Sequence, residues 1–164
     1  MSLWPFQNRT LVLSCSADEA LRRLKNSVVE MDKKEYNPKE KADDDTEFNG
    51  WFSDYTFRLS KRIAVPDNFI PIVDGHIEPT STGSILFVNF KLFFSSLLMV
   101  SLWTILSILL AIFFLFVYHQ VIYASIAIVV GLVQYFVVTL NFNRQVVKTW
   151  MALKSVLVEP IPSK

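Results

Sequence analysis

Residues 92–143 read LFFSSLLMVSLWTILSILLAIFFLFVYHQVIYASIAIVVGLVQYFVVTLNFN and contain no Lys, Arg, Asp or Glu. One bilayer crossing takes about 20 consecutive apolar residues, so this window is too long for one core helix and matches two crossings. His119 and Gln120 interrupt it near its middle. The reading is a transmembrane hairpin: a first span from Leu92 to about Tyr118, a tight turn, and a second span from Val121 to about Leu140. Residues 1–91 precede the hairpin and residues 141–164 follow it. That leaves room for one small domain, of a size at which a single hydrophobic core is marginal.

The charged residues lie around this window, not in it. The 164-residue chain carries 16 Lys and Arg against 15 Asp and Glu, a net charge of +1. No basic block marks a nucleic-acid partner. The single cysteine, Cys15, excludes an intramolecular disulfide. The opening residues MSLWPFQNR lack the charged n-region and apolar h-region of a signal peptide. Lys91 abuts the first span, and Arg144, Lys148 and Lys154 follow the second. Basic residues flanking spans are retained in the cytoplasm. The expectation is a protein of the cell (inner) membrane with both termini cytoplasmic and only the turn at residues 118–120 outside. Lys91, Arg144 and Lys148 are the candidate contacts to lipid headgroups.

Residues 10–14 (Thr-Leu-Val-Leu-Ser) read as a short strand. Ser16 and Glu19 then have the spacing of a capping box, and Ala17, Ala20, Leu21, Leu24, Val28 and Met31 form one apolar helical stripe. Residues 32–47 mix Lys33, Lys34, Lys39 and Lys41 with seven acidic side chains and almost nothing apolar, the composition of a mobile loop. Its Asp43–Asp45 run lacks the glycine and ligand spacing of a calcium loop. Four strands are expected next, at residues 48–53, 55–62, 69–78 and 84–91, separated by turn chemistry at 65–68 and 79–83. Pro71 suggests an edge or a bulge. Beyond the spans, Phe142, Val146, Trp150, Leu153 and Leu157 step by four and three along one helical face. The second span is therefore expected to run on as an amphipathic helix, with Trp150 and Leu153 packed on the small domain rather than on the lipid surface, the competing place for such a face. Pro160 and Pro162 end it.

The stretch from Phe48 to Trp103 carries Phe48-x-Gly50, Phe57, Arg62-Ile63, Asn68-Phe69-x-Pro71, Gly75-x-Ile77 and Gly83 ahead of the apolar span. In this pattern it resembles an uncharacterised family of small bacterial membrane proteins with a cytoplasmic α+β domain and a two-helix transmembrane hairpin. With the leading strand and helix, the likeness covers most of the chain. It implies a fold and a membrane location, and it brings no activity, cofactor or catalytic residue. Gly50, Gly75 and Gly83 suit positive φ, a bulge or close backbone approach.

Two histidines and one cysteine cannot assemble a zinc cluster, and no P-loop, nucleophile elbow or dinucleotide fingerprint is present. No cofactor is expected. Asp74 and His76 share a strand face and form a weak acid–base pair, which a solvated face explains better. The hairpin holds no ionisable group of the kind that lines an ion pathway. It does hold two stripes of small and hydroxyl residues: Ser101, Thr104, Ser107 and Ala111 on the first span, Ala124, Ala127, Gly131 and Gln134 on the second. Such stripes pack a hairpin or dock another membrane subunit.

The fold expected is α+β: a small antiparallel sheet in the order β-α-β-β-β-β, a transmembrane hairpin and a C-terminal cytoplasmic helix. The function expected is a membrane-anchored, non-enzymatic cytoplasmic binding or adaptor module. The alternatives are an accessory subunit of a larger membrane complex and a membrane-bound enzyme. The partners implied are the lipid bilayer and another membrane protein or a second copy, with no nucleic acid.

Overall fold

In the computed structural model, residues 6–30, 48–62 and 69–158 are described. The acidic stretch at 32–47, Met31, the turn at 65–68 and the C-terminal prolines lie outside them. The elements run β1 (Phe6–Leu13), α1 (Ala17–Asn26), β2 (Val28–Glu30), β3 (Phe48–Ser53), β4 (Thr56–Lys61), β5 (Pro71–Thr80), β6 (Gly83–Leu92), α2 (Phe94–Phe116) and α3 (Val121–Val158). The six strands form one sheet in the order β1-β6-β5-β4-β3-β2. The fold is α+β with a mixed sheet, because β2 pairs parallel to β3 while the other pairings are antiparallel.

Strand β2 corrects the expected order. The apolar stripe expected for α1 runs through Val28 to Met31, the last outside the described residues, but the helix stops at Asn26. Ser27 caps it, donating its hydroxyl to the Leu24 carbonyl at 2.9 Å. The β-branched pair Val28–Val29 then favours strand. Val28 is buried in the core as the stripe required, so period alone could not separate the two readings. At the other end of α1, the Ser16 hydroxyl accepts from the Glu19 amide. The Glu19 carboxylate is held by Arg22 and Arg23 on the same helix face.

Pro71 is at neither an edge nor a bulge. It opens β5, which lies inside the sheet between β4 and β6, and the first residue of a strand is where a missing N–H is tolerated. The turn expected at 79–83 is narrower, since Pro79 and Gly83 both belong to the β5–β6 ladder. No glycine has positive φ; that conformation falls to Asp54 and His119, each in a tight turn. The glycines instead permit close approach. A Cβ at Gly75 would fall on the Phe57 ring of β4, and one at Gly83 on the Leu13 carbonyl of β1.

The core lies on one face of the sheet. Leu13, Phe57, Leu59, Val73, Ile77, Leu86 and Phe90 point to it from the strands, and Ala20 and Leu24 meet them from α1. The second cover is the C-terminal half of α3. Phe142, Val146 and Leu153 are fully buried and Leu157 almost so. Trp150 meets Phe90 edge-on with ring centroids 6.2 Å apart, and Arg23 donates to the Leu157 carbonyl at 3.0 Å. Trp150 and Leu153 thus pack on the sheet.

α2 and α3 are each long and apolar enough to cross a membrane. Within their most apolar windows only 6% and 11% of residues are buried, so those windows do not lie in the core. The first begins at Phe94, because Leu92 still belongs to β6. At 38 residues α3 extends for about 57 Å, nearly twice the hydrocarbon thickness of about 30 Å. It is one uninterrupted helix that serves both the hairpin and the core.

The two stripes of small residues face each other. Ala111, Ala124 and Gly131 are buried, and Thr104, Ser107, Ala127 and Gln134 are partly so; Ser101 alone is exposed. A Cβ at Gly131 would stand 2.9 Å from Ser107 Cβ. The hydroxyls do not bond across: Thr104 donates to the Val100 carbonyl and Ser107 to that of Trp103, one turn back on their own helix. At Thr104 and Ser107, close packing rather than hydrogen bonding therefore joins α2 to α3. Gly131→Leu should force the helices apart and cost about 1–3 kcal/mol, the range for overpacking a tight contact. Ile128→Leu, at a site open on the outer face, should be near neutral. Thermal unfolding of both variants in the same detergent checks this, and equal behaviour would contradict the contact.

Candidate functional site

The face of the sheet away from α1 and α3 carries the candidate site. Strand alternation places every second residue there, and register decides which of them meet. Trp51, Arg58, Asp74, Asn89 and Asn8 are directly opposed across β3, β4, β5, β6 and β1. Beside that row runs a second: Ser53, Thr56, His76, Phe87 and Thr10. All of these residues except Ser53 line an open cavity of about 570 Å³ across five strands. This lies within the usual range for small-molecule sites, ~300–1,000 Å³.

The first row is organised by charge. Arg58 grips Asp74 with two bonds, Nε to Oδ1 at 2.5 Å and a terminal nitrogen to Oδ2 at 3.1 Å. Lys91 Nζ reaches the same Oδ2 at 3.2 Å. The Arg58 guanidinium lies 5.9 Å from the centroid of the Trp51 ring. Burial alone would raise the Asp74 carboxyl, but the bonds from Arg58 and Lys91 outweigh it and hold the group below the ordinary carboxylate value. In the neighbouring β6, Asn89 Oδ1 is buried and has no hydrogen-bond partner. In the second row the His76 ring stacks on Phe87 at 4.8 Å and 14°, and its Nε2 lies 3.2 Å from Glu78.

Asp74 and His76 do share this face, but the structure does not join them. Asp74 is spent on two cations, and His76 is held by Glu78 and Phe87. A carboxylate so engaged is a poor proton acceptor, and the arrangement is not an acid–base dyad. Among the described residues no three His, Cys, Asp or Glu side chains converge to hold a metal. What the face offers is recognition chemistry: a flat indole, a stacked imidazole and a clamped guanidinium.

The headgroup residues are separated. Lys91 is on the open face, committed to Asp74. Arg144 and Lys148 are exposed on α3 and line a groove against the start of β1. Sequence reading did not single out Trp51, Arg58, Asn89 or Asn8. The alternation that puts each on the open face is legible in its own strand; the register that aligns them is not. Comparison of the chain with family models, with curated proteins and with solved structures finds no match.

The Asp74 clamp has a pH signature. A carboxyl held low in the folded state adds stability above its unfolded pKa of about 3.9, and that stability is lost as pH falls through the lower folded value. Asp74→Asn should therefore flatten the acid limb of the stability curve below about pH 4. At neutral pH it should cost about 1 kcal/mol, because Arg58 and Lys91 are both open to water and screened. Denaturant unfolding across pH reads both effects, and a parallel acid limb in wild type and variant would contradict the clamp.

Proposed function

We propose that this chain is a membrane-anchored binding module without catalytic activity, in which α2 and α3 cross the bilayer as a hairpin and hold the sheet at the cytoplasmic surface. The observation that carries the reading is the row Trp51–Arg58–Asp74–Asn89–Asn8, in which the bonds of Arg58 and Lys91 to Asp74 fix an uncovered sheet face in one arrangement. Preorganised polar groups on a rigid sheet favour binding over chemistry when no nucleophile or free base stands among them. The ligand that suits this face is small and partly planar, with a ring to stack on Trp51 or His76.

The membrane half of the reading rests on independent features. Phe113, Phe114, Tyr118 and Tyr123 cluster at the hairpin turn, where aromatic residues mark a membrane interface. Every Lys and Arg lies outside residues 92–143 in the sequence. The accessory-subunit reading relied on the small-residue stripes as an outer docking face. Those stripes are largely used between α2 and α3, which weighs against it.

Two measurements test the proposal. With His119→Cys, the new thiol should react with an impermeant reagent in intact cells while Cys15 stays protected; a thiol placed near Lys164 that reacts would contradict the orientation. Native mass spectrometry of the full chain in mild detergent should show a bound small molecule that Arg58→Ala loses. A co-purifying protein subunit in its place would favour the accessory-subunit reading.

A further inference from the structure

The groove between α3 and the start of β1 is a second feature that the sheet face does not use. It has a volume of about 810 Å³, and its cations are Arg9, Arg144 and Lys148. Arg144 and Lys148 are one helical turn apart on the same face. Like charges at that spacing repel. Among the described residues neither meets a carboxylate, and no acidic side chain lines the groove. Across from them, Arg9 lies 5.4 Å from the Trp150 ring centroid, which holds its guanidinium to the helix side of β1. Gln7 bonds Asn143 at 2.5 Å and ties the wall formed by β1 to the wall formed by α3.

The depth of the groove matters as much as its charge. Counting from the turn, residues 121–140 of α3 span about 30 Å, the thickness of the hydrocarbon layer. Leu140 then sits at its edge. Arg144 lies about 6 Å further out and Lys148 about 12 Å, which brackets the headgroup layer. The groove is apolar at its inner end, where Phe6 and Leu140 line it, and cationic beyond. A phospholipid has the same sequence of chemistry: acyl chains, then phosphate.

We propose that this groove binds the headgroup of an anionic phospholipid of the cytoplasmic leaflet, with Arg144, Lys148 and Arg9 around the phosphate and Phe6 and Leu140 against the upper acyl chain. The proposal rests on the reading of α2 and α3 as bilayer spans. It also revises the sequence expectation by replacing Lys91, which is held by Asp74, with Arg9. The groove, unlike a diffuse basic collar, has walls fixed by Gln7 and Asn143, so the lipid should be retained individually.

The test uses the full chain in nanodiscs of phosphatidylcholine with a minor fraction of phosphatidylglycerol, and native mass spectrometry of the protein released from them. Wild type should carry phosphatidylglycerol far above its share of the bilayer. A basic residue at an anionic surface is worth a factor of about five, so the exposed pair Arg144→Gln and Lys148→Gln should together cut that preference roughly 25-fold. The charge-conserving pair Arg144→Lys and Lys148→Arg should keep most of it. An unchanged preference in the Gln pair, or no preference in wild type, overturns the proposal. Displacement by excess inorganic phosphate also overturns it, because the site would then take a free anion. Resistance to alkaline extraction from membranes reports the anchor separately. An embedded chain without lipid preference contradicts the groove alone, and an extractable chain contradicts the hairpin.

Discussion

The constraint on which this structure depends is that α3 belongs to two environments at once. Its first half packs on α2 through Gly131 and Ala124, and its second half supplies the sheet with Phe142, Val146, Leu153 and Leu157. Burying one such side chain contributes about 1.5–3 kcal/mol. Four of them amount to much of the ~5–15 kcal/mol by which an ordinary domain is stable. A sheet of six short strands with the ten-residue α1 as its only other described cover would be left near the threshold. The helix cannot leave the sheet without exposing this surface, and no proline interrupts it between Val121 and Val158. The join on the other side is equally short: β6 ends at Leu92 and α2 begins at Phe94.

This one-sided arrangement explains where function can reside. Both covering helices lie on the same face of the sheet, so the opposite face keeps its polar residues in solvent. Its charges are not loose, because Arg58 and Lys91 converge on Asp74 and link three adjacent strands. The same geometry that frees this face creates the groove beside α3, since β1 is an edge strand and α3 passes beside its first residues. The two surfaces meet at Asn8 and Arg9, which line both.

The hairpin was legible because a long absence of charge has few physical explanations. β3 was legible residue for residue, and β4, β5 and β6 to within a residue or two, because alternation and turn residues agree there. The continuation of α3 into the core was legible as a face at Phe142, Val146 and Leu153, and its choice of sheet over lipid followed from a domain too small to do without a second cover; Trp150 and Leu153 pack there. Other features were hidden for definite reasons. β2 has three residues, and Val28 satisfies both a helical and a strand pattern. Pro71 reads as an edge signal, while a strand's first position is indifferent to the lost donor. The recognition row depends on the pairing of Arg58 with Asp74 and of Asp74 with Asn89, a long-range register that local pattern does not encode. The pairing of Lys91 with Asp74 of the neighbouring strand depends on the same register and is equally absent from local pattern.

Hydrogen exchange of the full chain in a lipid nanodisc tests the shared-helix account most directly, comparing wild type with Phe142→Ala. If residues 142–157 of α3 and strand β6 form one cooperative core, their amides should be protected to a similar degree, and the substitution should accelerate exchange in both by a similar factor. If the substitution speeds exchange in α3 while β6 keeps its full protection, the helix lies on the membrane surface and the sheet stands without it.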